Sequence, residues 1–152
     1  MGYVYKQLTT SDIKFLHELL EVFGEAFNDQ NTYQNAVPSD THLAALLGKD
    51  NFIALVALDD SKVVGGLTAY ELEKPEQDRS EIYIYDLAVL EAHRRKGIAR
   101  GLISELKKIA KDRGVYIIFV QADPGDNPAI KLYESLGKRE EVYHFDIPVN
   151  GE

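Results

Sequence analysis

The chain has 152 residues, of which 45% are hydrophobic and 28% are charged, and this composition excludes a disordered or fibrous protein. It contains no cysteine, which excludes disulfides, a thiolate nucleophile and Cys-ligated metal sites. The net charge of −8 argues against nucleic acid as the main partner and favours a cationic one. No apolar run reaches the length of a membrane span, and residues 1–10 lack the apolar core of a signal peptide, so we expect a soluble, cytoplasmic protein without a membrane partner.

Hydrophobic periodicity predicts one strand and two helices in the N-terminal third of the chain. The strand is expected over Tyr3–Leu8. Apolar residues at helical spacing predict a first helix from residue 13 to residue 27, followed by a polar stretch, 28–35, in which it should fray. A second helix should begin after the capping residue Ser39 and end at Gly48, which we expect to be its C′ residue.

From residue 51 onwards the pattern is typical of strands. Three segments rich in β-branched, aromatic and aliphatic residues predict strands over Phe52–Leu58, Val63–Leu72 and Ile82–Val89. The segments between them are short and contain turn-forming residues. Because short connections can join only antiparallel strands, we expect the three to be antiparallel neighbours in one sheet.

The last third of the chain predicts two helices that alternate with strands. A helix is expected over Gly97–Asp112, and an almost continuous apolar run, Val115–Val120, suits a strand covered on both faces. A helix over Pro128–Leu136 and a last strand over Glu141–Ile147 follow. The order β-α-α-β-β-β-α-β-α-β predicts a single α/β (α+β) domain over residues 1–152, with a mixed, mostly antiparallel central sheet and helices on both faces.

The junction between the fourth predicted strand and the next helix is rich in cations. Arg94, Arg95 and Lys96 precede Gly97, where the helix begins. A helix start presents unpaired N–H groups and the positive end of the helix dipole, so a cation there costs up to about 1 kcal/mol. A solvated basic helix start is therefore the weaker explanation. Gly97 allows close approach of a ligand and Ala99 keeps the first turn uncrowded, which predicts an anion site suited to a pyrophosphate.

Two motifs resemble those of a known superfamily. The pattern Arg94-x-x-Gly97-x-Ala99 after a strand is similar to the acetyl-CoA signature of the GNAT N-acetyltransferases. The segment Asn127–Gly137 resembles the second landmark of that superfamily, Asn-x-x-Ala-x-x-Leu-Tyr-x-x-x-Gly. The predicted order of elements matches the GNAT fold along essentially the whole chain. The resemblance therefore implies a GNAT domain that uses acetyl-CoA as co-substrate and no metal.

Four segments resemble a narrower group, the gentamicin-type aminoglycoside 3-N-acetyltransferases. They are Phe52–Leu55, Arg79–Val89, Gln121–Asp123 and Arg139–Ile147. This similarity implies an enzyme that acetylates an amino group of aminoglycoside antibiotics, at the 3-position, and so confers resistance. Two alternatives stay open: acetylation of a polyamine or of a peptide or protein amine, and a non-catalytic module that only binds acetyl-CoA.

The resemblance also implies which residues bind acetyl-CoA. They lie at the end of the fourth strand, in the basic turn with the helix start, and on the last helix. These residues are Leu87, Ala88, Val89, Arg94, Arg95, Lys96, Gly97, Ile98, Ala99, Arg100, Asn127, Ala129 and Tyr133.

The resemblance gives Tyr133 the role of general acid for the departing thiolate, although periodicity alone favours a core contact. For the general base we consider Asp86, Glu81 and a water relay. Strict alternation places Asp86 on the strand face of Ile82 and Ile84, unless a bulge turns it to the other face. A carboxylate that enters such a packed face costs free energy, which indicates a function.

A polycationic substrate requires carboxylates, and several lie where it could arrive. The candidates are Glu21, Glu25, Asp29, Asp123, Asp126, Glu140, Glu141 and Asp146. A solvated helix face explains Glu21 and Glu25 more simply, and Asp123 and Asp126 are the favoured candidates. The four histidines show no metal-ligand spacing. A homodimer formed through the aromatic surface of the sheet is a further hypothesis.

Overall fold

Five β-strands form one sheet in their order along the chain, β1-β2-β3-β4-β5. The computed structural model describes residues 2–33 and 36–151. It divides into two compact units, Met1–Gln121 and Ala122–Glu152, and the sheet lies in the first. The elements are β1 (Val4–Gln7), α1 (Ile13–Ala26), α2 (Gln30–Tyr33), α3 (Asp40–Leu47), β2 (Phe52–Asp59), β3 (Lys62–Glu73), β4 (Ser80–Val89), α4 (Ile98–Asp112), β5 (Ile117–Val120) and α5 (Asn127–Leu136).

The sheet is mixed and mostly antiparallel, as predicted. Strands β1 to β4 pair antiparallel with their neighbours, and β5 pairs parallel to β4. The β2–β3 hairpin closes through Asp60 and Ser61, whose φ angles of 50° and 72° are left-handed. Such a two-residue turn matches the right-handed twist of the strands that it joins.

Helices cover both faces of the sheet, which confirms the predicted fold class. Adjacent residues of a strand point to opposite faces, and the glycines at positions 65 and 66 of β3 show what lies on each. A Cβ added at Gly66 would lie 2.5 Å from Leu19 of α1, and one at Gly65 would lie 3.3 Å from Ile98 of α4. Helices α1 and α3 share a core with one face of β2, in which Phe23 is 1% exposed.

The polar stretch 28–35, in which we expected fraying, contains the short helix α2. The Asp29 carboxylate accepts a hydrogen bond from the Thr32 N–H (3.2 Å), and the Asp29 carbonyl accepts one from the Tyr33 N–H (3.3 Å). The expected end of the stretch, residues 34 and 35, lies outside the described residues. Gly48 ends α3, but with φ −80° it is a right-handed C-cap and not the left-handed C′ residue we expected.

The predicted last strand over Glu141–Ile147 is not formed, and this prediction was wrong. Tyr143 and Phe145 are 92% and 80% exposed, and residues 141–147 have no regular secondary structure and pair with no strand. Alternating apolar residues favour a strand, but only a paired neighbour makes one. The strand expected over Val115–Val120 is shorter than predicted, and Ile117 is 48% exposed, so β5 is not covered on both faces.

Among residues 2–33 and 36–151, every helix is too short or too polar to traverse a lipid bilayer.

Candidate active site

Strand β4 has a neighbour on both edges only in its first half. Its pairing with β5 runs from Glu81–Ile117 to Ile84–Val120, whereas its pairing with β3 continues to Val89. In the part of the chain that the structure describes, residues 87–89 therefore pair along one edge only. The open edge offers backbone hydrogen-bonding groups to an extended ligand. This is where the expected pantetheine-binding residues Leu87, Ala88 and Val89 lie.

A β-bulge sets the direction of Asp86. Asp86 lies opposite Thr68, and Ile84 lies opposite Ala69, so Tyr85 is an extra residue in β4. Strict alternation would place Asp86 on the face of Ile84, which packs in the core. The bulge turns Asp86 to the other face, where the Tyr33 hydroxyl donates a hydrogen bond to its Oδ2 (3.1 Å). The exception that we allowed for in the sequence is therefore present in the structure.

The surroundings of Asp86 favour its protonated form. Burial raises the pKa of the Asp86 carboxyl, and the hydrogen bond from Tyr33 acts in the opposite direction without cancelling that effect. The pKa of Tyr33 is in turn raised, first by burial and then by the charge of Asp86. A carboxylate whose pKa lies above its ordinary value accepts a proton more readily at neutral pH, as a general base requires.

Aromatic side chains line the same face beside Asp86. Tyr85 stands edge-on to both Tyr70 and Tyr83, with ring centroids 6.1 Å apart in each pair. Tyr83 stacks on Phe119 of β5 at 4.8 Å, and its hydroxyl donates to the Gln121 side chain (3.0 Å). Tyr85 is 61% exposed, so this aromatic face is open to a ligand.

Glu81, the other carboxylate considered as a base, lies at the opposite end of β4. Glu81 and Asp86 are five positions apart along the strand, which corresponds to about 16 Å. Its Oε2 accepts a hydrogen bond from the Tyr116 hydroxyl (3.0 Å) and forms an ion pair with Lys74 Nζ (3.5 Å). The structure therefore does not bring the two carboxylates together, and it gives Glu81 structural partners.

The basic turn between β4 and α4 has left-handed backbone at two positions. Arg95 has φ 64°, and Gly97, the N-cap of α4, has φ 81° and no side chain to cap the helix. The Arg94 Nε donates to the Val89 carbonyl (3.0 Å), which ties the turn to the end of β4. The first helical hydrogen bond runs from the Gly101 N–H to the Gly97 carbonyl (2.9 Å), so the amides before Gly101 belong to the helix start, where N–H groups lack a partner within the helix.

The residues of this turn fit a diphosphate. Arg94, Arg95 and Lys96 are exposed cations, and the helix start adds amide donors and the positive end of the dipole. An added Cβ at Gly97 would meet no atom within 4 Å, so the backbone conformation, rather than lack of space, favours glycine there. Ile98 is buried and anchors the helix start, whereas Ala99 is half-buried.

The second unit carries the expected residues of α5. The Asp126 side chain caps this helix by accepting from the Ala129 N–H (3.4 Å), and Asn127 is its first residue. Burial, and then the charge of Asp126, raise the pKa of the Tyr133 hydroxyl. Asp126, which we expected to bind substrate, thus has a structural role within its own unit.

The other expected substrate-binding carboxylates are exposed. Glu141 pairs with Arg139 (3.4 Å) and Asp146 contacts His144 (2.8 Å), whereas the side chains of Glu25, Asp123 and Glu140 are simply exposed. Within the described ranges, no three His, Asp or Glu side chains are grouped so as to hold a metal ion.

Sequence reasoning missed Tyr33. The residue lies in the stretch that we expected to fray, and no motif or periodicity distinguishes it there. The signal that could have found it is the run of aromatic residues Phe23, Phe27 and Tyr33, which the structure gathers into one cluster with centroid distances of 5.6–5.9 Å.

Comparison with known proteins adds a family and several relatives. A family model described as "Acetyltransferase (GNAT) family" matches residues 14–138. A rat protein, N-acetyltransferase 8B, is 28% identical over 90 residues, which make up 59% of this chain and 40% of the relative. The chain therefore spans about two fifths of the length of that curated relative.

Two crystal structures match nearly the whole chain. An aminoglycoside acetyltransferase, HMB0005, from an uncultured soil metagenomic sample is 55% identical, with a TM-score of 0.96 over 98% of this chain and 99% of that one. A second aminoglycoside acetyltransferase from such a sample, meta-AAC0020, was solved in complex with sisomicin. It is 34% identical, with a TM-score of 0.91 over 97% of this chain and 96% of that one.

Proposed function

Because this chain belongs to the acetyltransferase (GNAT) family, we propose that it transfers an acetyl group from acetyl-CoA to an amino group of an aminoglycoside. The observation that carries the proposal is the 55% identity, over nearly the full length of both chains, to an aminoglycoside acetyltransferase. The sisomicin complex of a 34% identical protein supports the same substrate class. The finer assignment, to the 3-amino group of gentamicin-type drugs with resistance as the result, rests on the resemblance of the four sequence segments.

In this proposal the first unit binds the acetyl donor. Acetyl-CoA, which GNAT acetyltransferases use, supplies an activated thioester and a thiolate leaving group. Arg94, Arg95 and Lys96 bind its diphosphate together with the amides at the start of α4. The open edge of residues 87–89 pairs with pantetheine, and an N–H of that segment stabilises the negative charge that develops on the thioester oxygen.

Asp86 is the proposed general base. The attacking amine must lose a proton, and a half-buried carboxylate with a raised pKa can accept it. Glu81 is the less suitable group because Lys74 and Tyr116 already engage its carboxylate. A water molecule between the amine and Asp86 would pass the proton on, and the carboxylate would still be the final proton acceptor.

Tyr133 is the proposed proton donor to the departing sulfur. Its raised pKa keeps the hydroxyl protonated at neutral pH, so it can donate a hydrogen bond to the thiolate as the bond to sulfur breaks. Tyr133→Phe should lower kcat by about 10²-fold with the affinity for acetyl-CoA unchanged. Tyr143→Phe, at an exposed position of the same unit, is the matched control. Release of thiol by Tyr133→Phe at the normal rate would refute the role.

The proposed substrate contacts are carboxylates that pair with ammonium groups of the drug. They are Glu25, Asp123, Asp126, Glu140, Glu141 and Asp146. Their individual contributions, the homodimer and the cytoplasmic location stay predictions.

A thiol-release assay with acetyl-CoA tests the function. Gentamicin and kanamycin should be acetylated faster than spermidine or a generic peptide, and NMR of the product should locate the acetyl group on the 3-amine. Turnover of spermidine or the peptide alone would reject the aminoglycoside. Acetylation of an aminoglycoside that lacks the 3-amine would reject only the regiochemistry. Binding of acetyl-CoA without turnover of any amine would favour the non-catalytic alternative.

A further inference from the structure

Helix α2 contributes one polar contact to the strand that carries the proposed base. The Tyr33 hydroxyl donates to Oδ2 of Asp86 at 3.1 Å, although 53 residues separate the two in sequence. Both groups are partly buried, so water competes poorly for this hydrogen bond. In the described residues the bond falls on Oδ2, which leaves Oδ1 for an incoming amine.

The position of the Tyr33 hydroxyl is fixed from two sides. Its ring packs against Phe23 at 5.9 Å and Phe27 at 5.8 Å, and these two rings stack on each other at 5.6 Å. Its backbone is held by Asp29, which accepts from the N–H groups of Thr32 and Tyr33. A side chain held in this way loses little further freedom when it forms its hydrogen bond.

We propose that Tyr33 is a positioning residue for acetyl transfer, which orients the Asp86 carboxylate so that Oδ1 faces the amine. The proposal rests on the proposed function, because it takes Asp86 as the proton acceptor. Tyr33 itself touches neither substrate nor cofactor in this role. It acts through the carboxylate that it holds.

The charges around Asp86 explain why such a residue is needed. The titratable groups around it are Tyr33 from α2, Tyr70 from β3, and Tyr83 and Tyr85 from β4 itself, and the Asp29 carboxylate lies near Tyr33. Helix α1 packs on Tyr33 through the ring of Phe23. Asp86 belongs to no ion pair among the described residues. A half-buried carboxylate without a cation is stabilised by its hydrogen bonds, so loss of the Tyr33 hydroxyl should raise the Asp86 pKa further.

The first test is the pH dependence of Tyr33→Phe, a change that keeps the ring and removes the donor. The acidic limb of kcat/KM for gentamicin, measured from about pH 5 to pH 9, should move to higher pH. This makes kcat/KM about tenfold lower at the acidic end and close to wild type at the alkaline end, while KM for acetyl-CoA is unchanged. Tyr143→Phe, which removes a hydroxyl at a 92% exposed position, is the control and should leave the limb in place.

A second measurement does not depend on turnover. The ¹³C signal of the Asp86 carboxyl, assigned by its loss in Asp86→Asn, should titrate at higher pH in Tyr33→Phe than in wild type or Tyr143→Phe. Should Tyr33→Phe fold poorly, Phe27→Leu loosens the same ring without removing the hydroxyl and should shift the titration in the same direction, by less.

The outcomes separate this inference from the function. A Tyr33→Phe profile that superimposes on wild type, with an unshifted carboxyl titration, would overturn the inference and leave the function intact. A uniform loss of activity at every pH, with lower thermal stability, would show a structural role only and would also overturn it. Failure of wild type to acetylate any aminoglycoside would reject the function, and the carboxyl titration would still decide whether Tyr33 controls Asp86.

Discussion

At the residue scale, Asp86 meets two opposing requirements. A half-buried carboxylate among aromatic rings destabilises the fold because its charge loses hydration, and burial accordingly raises its pKa. The proposed acetyl transfer to an amine nevertheless requires a proton acceptor, the role that we propose for Asp86. The hydrogen bond from Tyr33 reduces, but does not remove, the free-energy cost of burying the Asp86 charge. Function and stability should therefore respond in opposite directions to neutralisation of this one side chain.

Asp86→Asn tests this opposition. A raised pKa in the folded state means that the folded chain binds a proton more tightly than the unfolded chain, so stability falls as pH rises from the ordinary Asp pKa through the folded one. At pH 7 the variant should unfold at an equal or higher denaturant concentration than wild type, because the amide oxygen still accepts from Tyr33. The difference in stability between the variant and wild type should shrink as pH falls, because wild-type Asp86 then becomes protonated. The kcat of the variant should be lower than that of wild type by about 10²-fold or more.

Exposed Asp78→Asn, in the β3–β4 turn, is the control for stability. It should leave both the unfolding midpoint and kcat as they are in wild type. A clear loss of stability in Asp86→Asn at pH 7 would mean that burial of the charge is fully compensated and that the explanation is wrong.

At the scale of elements, the turn between β4 and α4 combines features that would be unfavourable without a ligand. Cations sit beside the positive end of a helix dipole, and two residues take left-handed backbone. The same turn is tied to the end of β4 through Arg94 and Val89. The proposed diphosphate would relieve the repulsion and would accept hydrogen bonds from the unpaired amides of the helix start.

Two glycine variants separate backbone strain from binding. Gly97 and Gly114 lie at the two ends of α4, with φ 81° and 72°, and an added Cβ meets no atom within 4 Å at either position. Alanine at each should therefore lower the free energy of unfolding by about 1–2 kcal/mol. In calorimetry only Gly97→Ala should also weaken acetyl-CoA binding, about tenfold or 1.4 kcal/mol. Equal affinities in the two variants would argue against the turn as the diphosphate site.

At the scale of the whole molecule, charge is divided between a basic turn and an acidic remainder. The net charge is −8, although Arg94, Arg95 and Lys96 lie together in sequence. An acidic surface attracts a polycation over distances of about one Debye length, and the basic turn attracts the anionic donor. The two proposed substrates are opposite in charge, so each would be attracted by residues of the opposite sign.

Ionic strength tests that attraction. With acetyl-CoA saturating, KM for an aminoglycoside should rise several-fold between about 0.05 and 0.3 M salt, because screening weakens the encounter. The value of kcat should change little, since the chemistry lies in a partly desolvated site. A substrate with a single amine serves as the control, because its KM should depend less on salt. A KM for the aminoglycoside that is independent of salt would show that the carboxylates do not attract the drug.

Local patterns predicted much of this protein because the physics behind them is local. Periodicity located β2, β3, β4 and α4 to within a few residues, and the cations before Gly97 located the candidate anion site. The family resemblance seen in the two motifs is confirmed by the family match over residues 14–138. The last strand could not be predicted correctly, because alternation at Tyr143 and Phe145 does not reveal whether a partner strand is present.

The sequence by itself determined most of the elements, the acidic balance and the basic turn, since each depends on neighbours a few residues apart. Only the tertiary structure decided which way Asp86 points, that Tyr33 holds it, and that residues 87–89 keep one edge open. Those features depend on a one-residue shift between β3 and β4, on a contact across 53 residues, and on where β5 stops pairing. Register and long-range contacts are collective properties of the packed sheet, and no single segment encodes them.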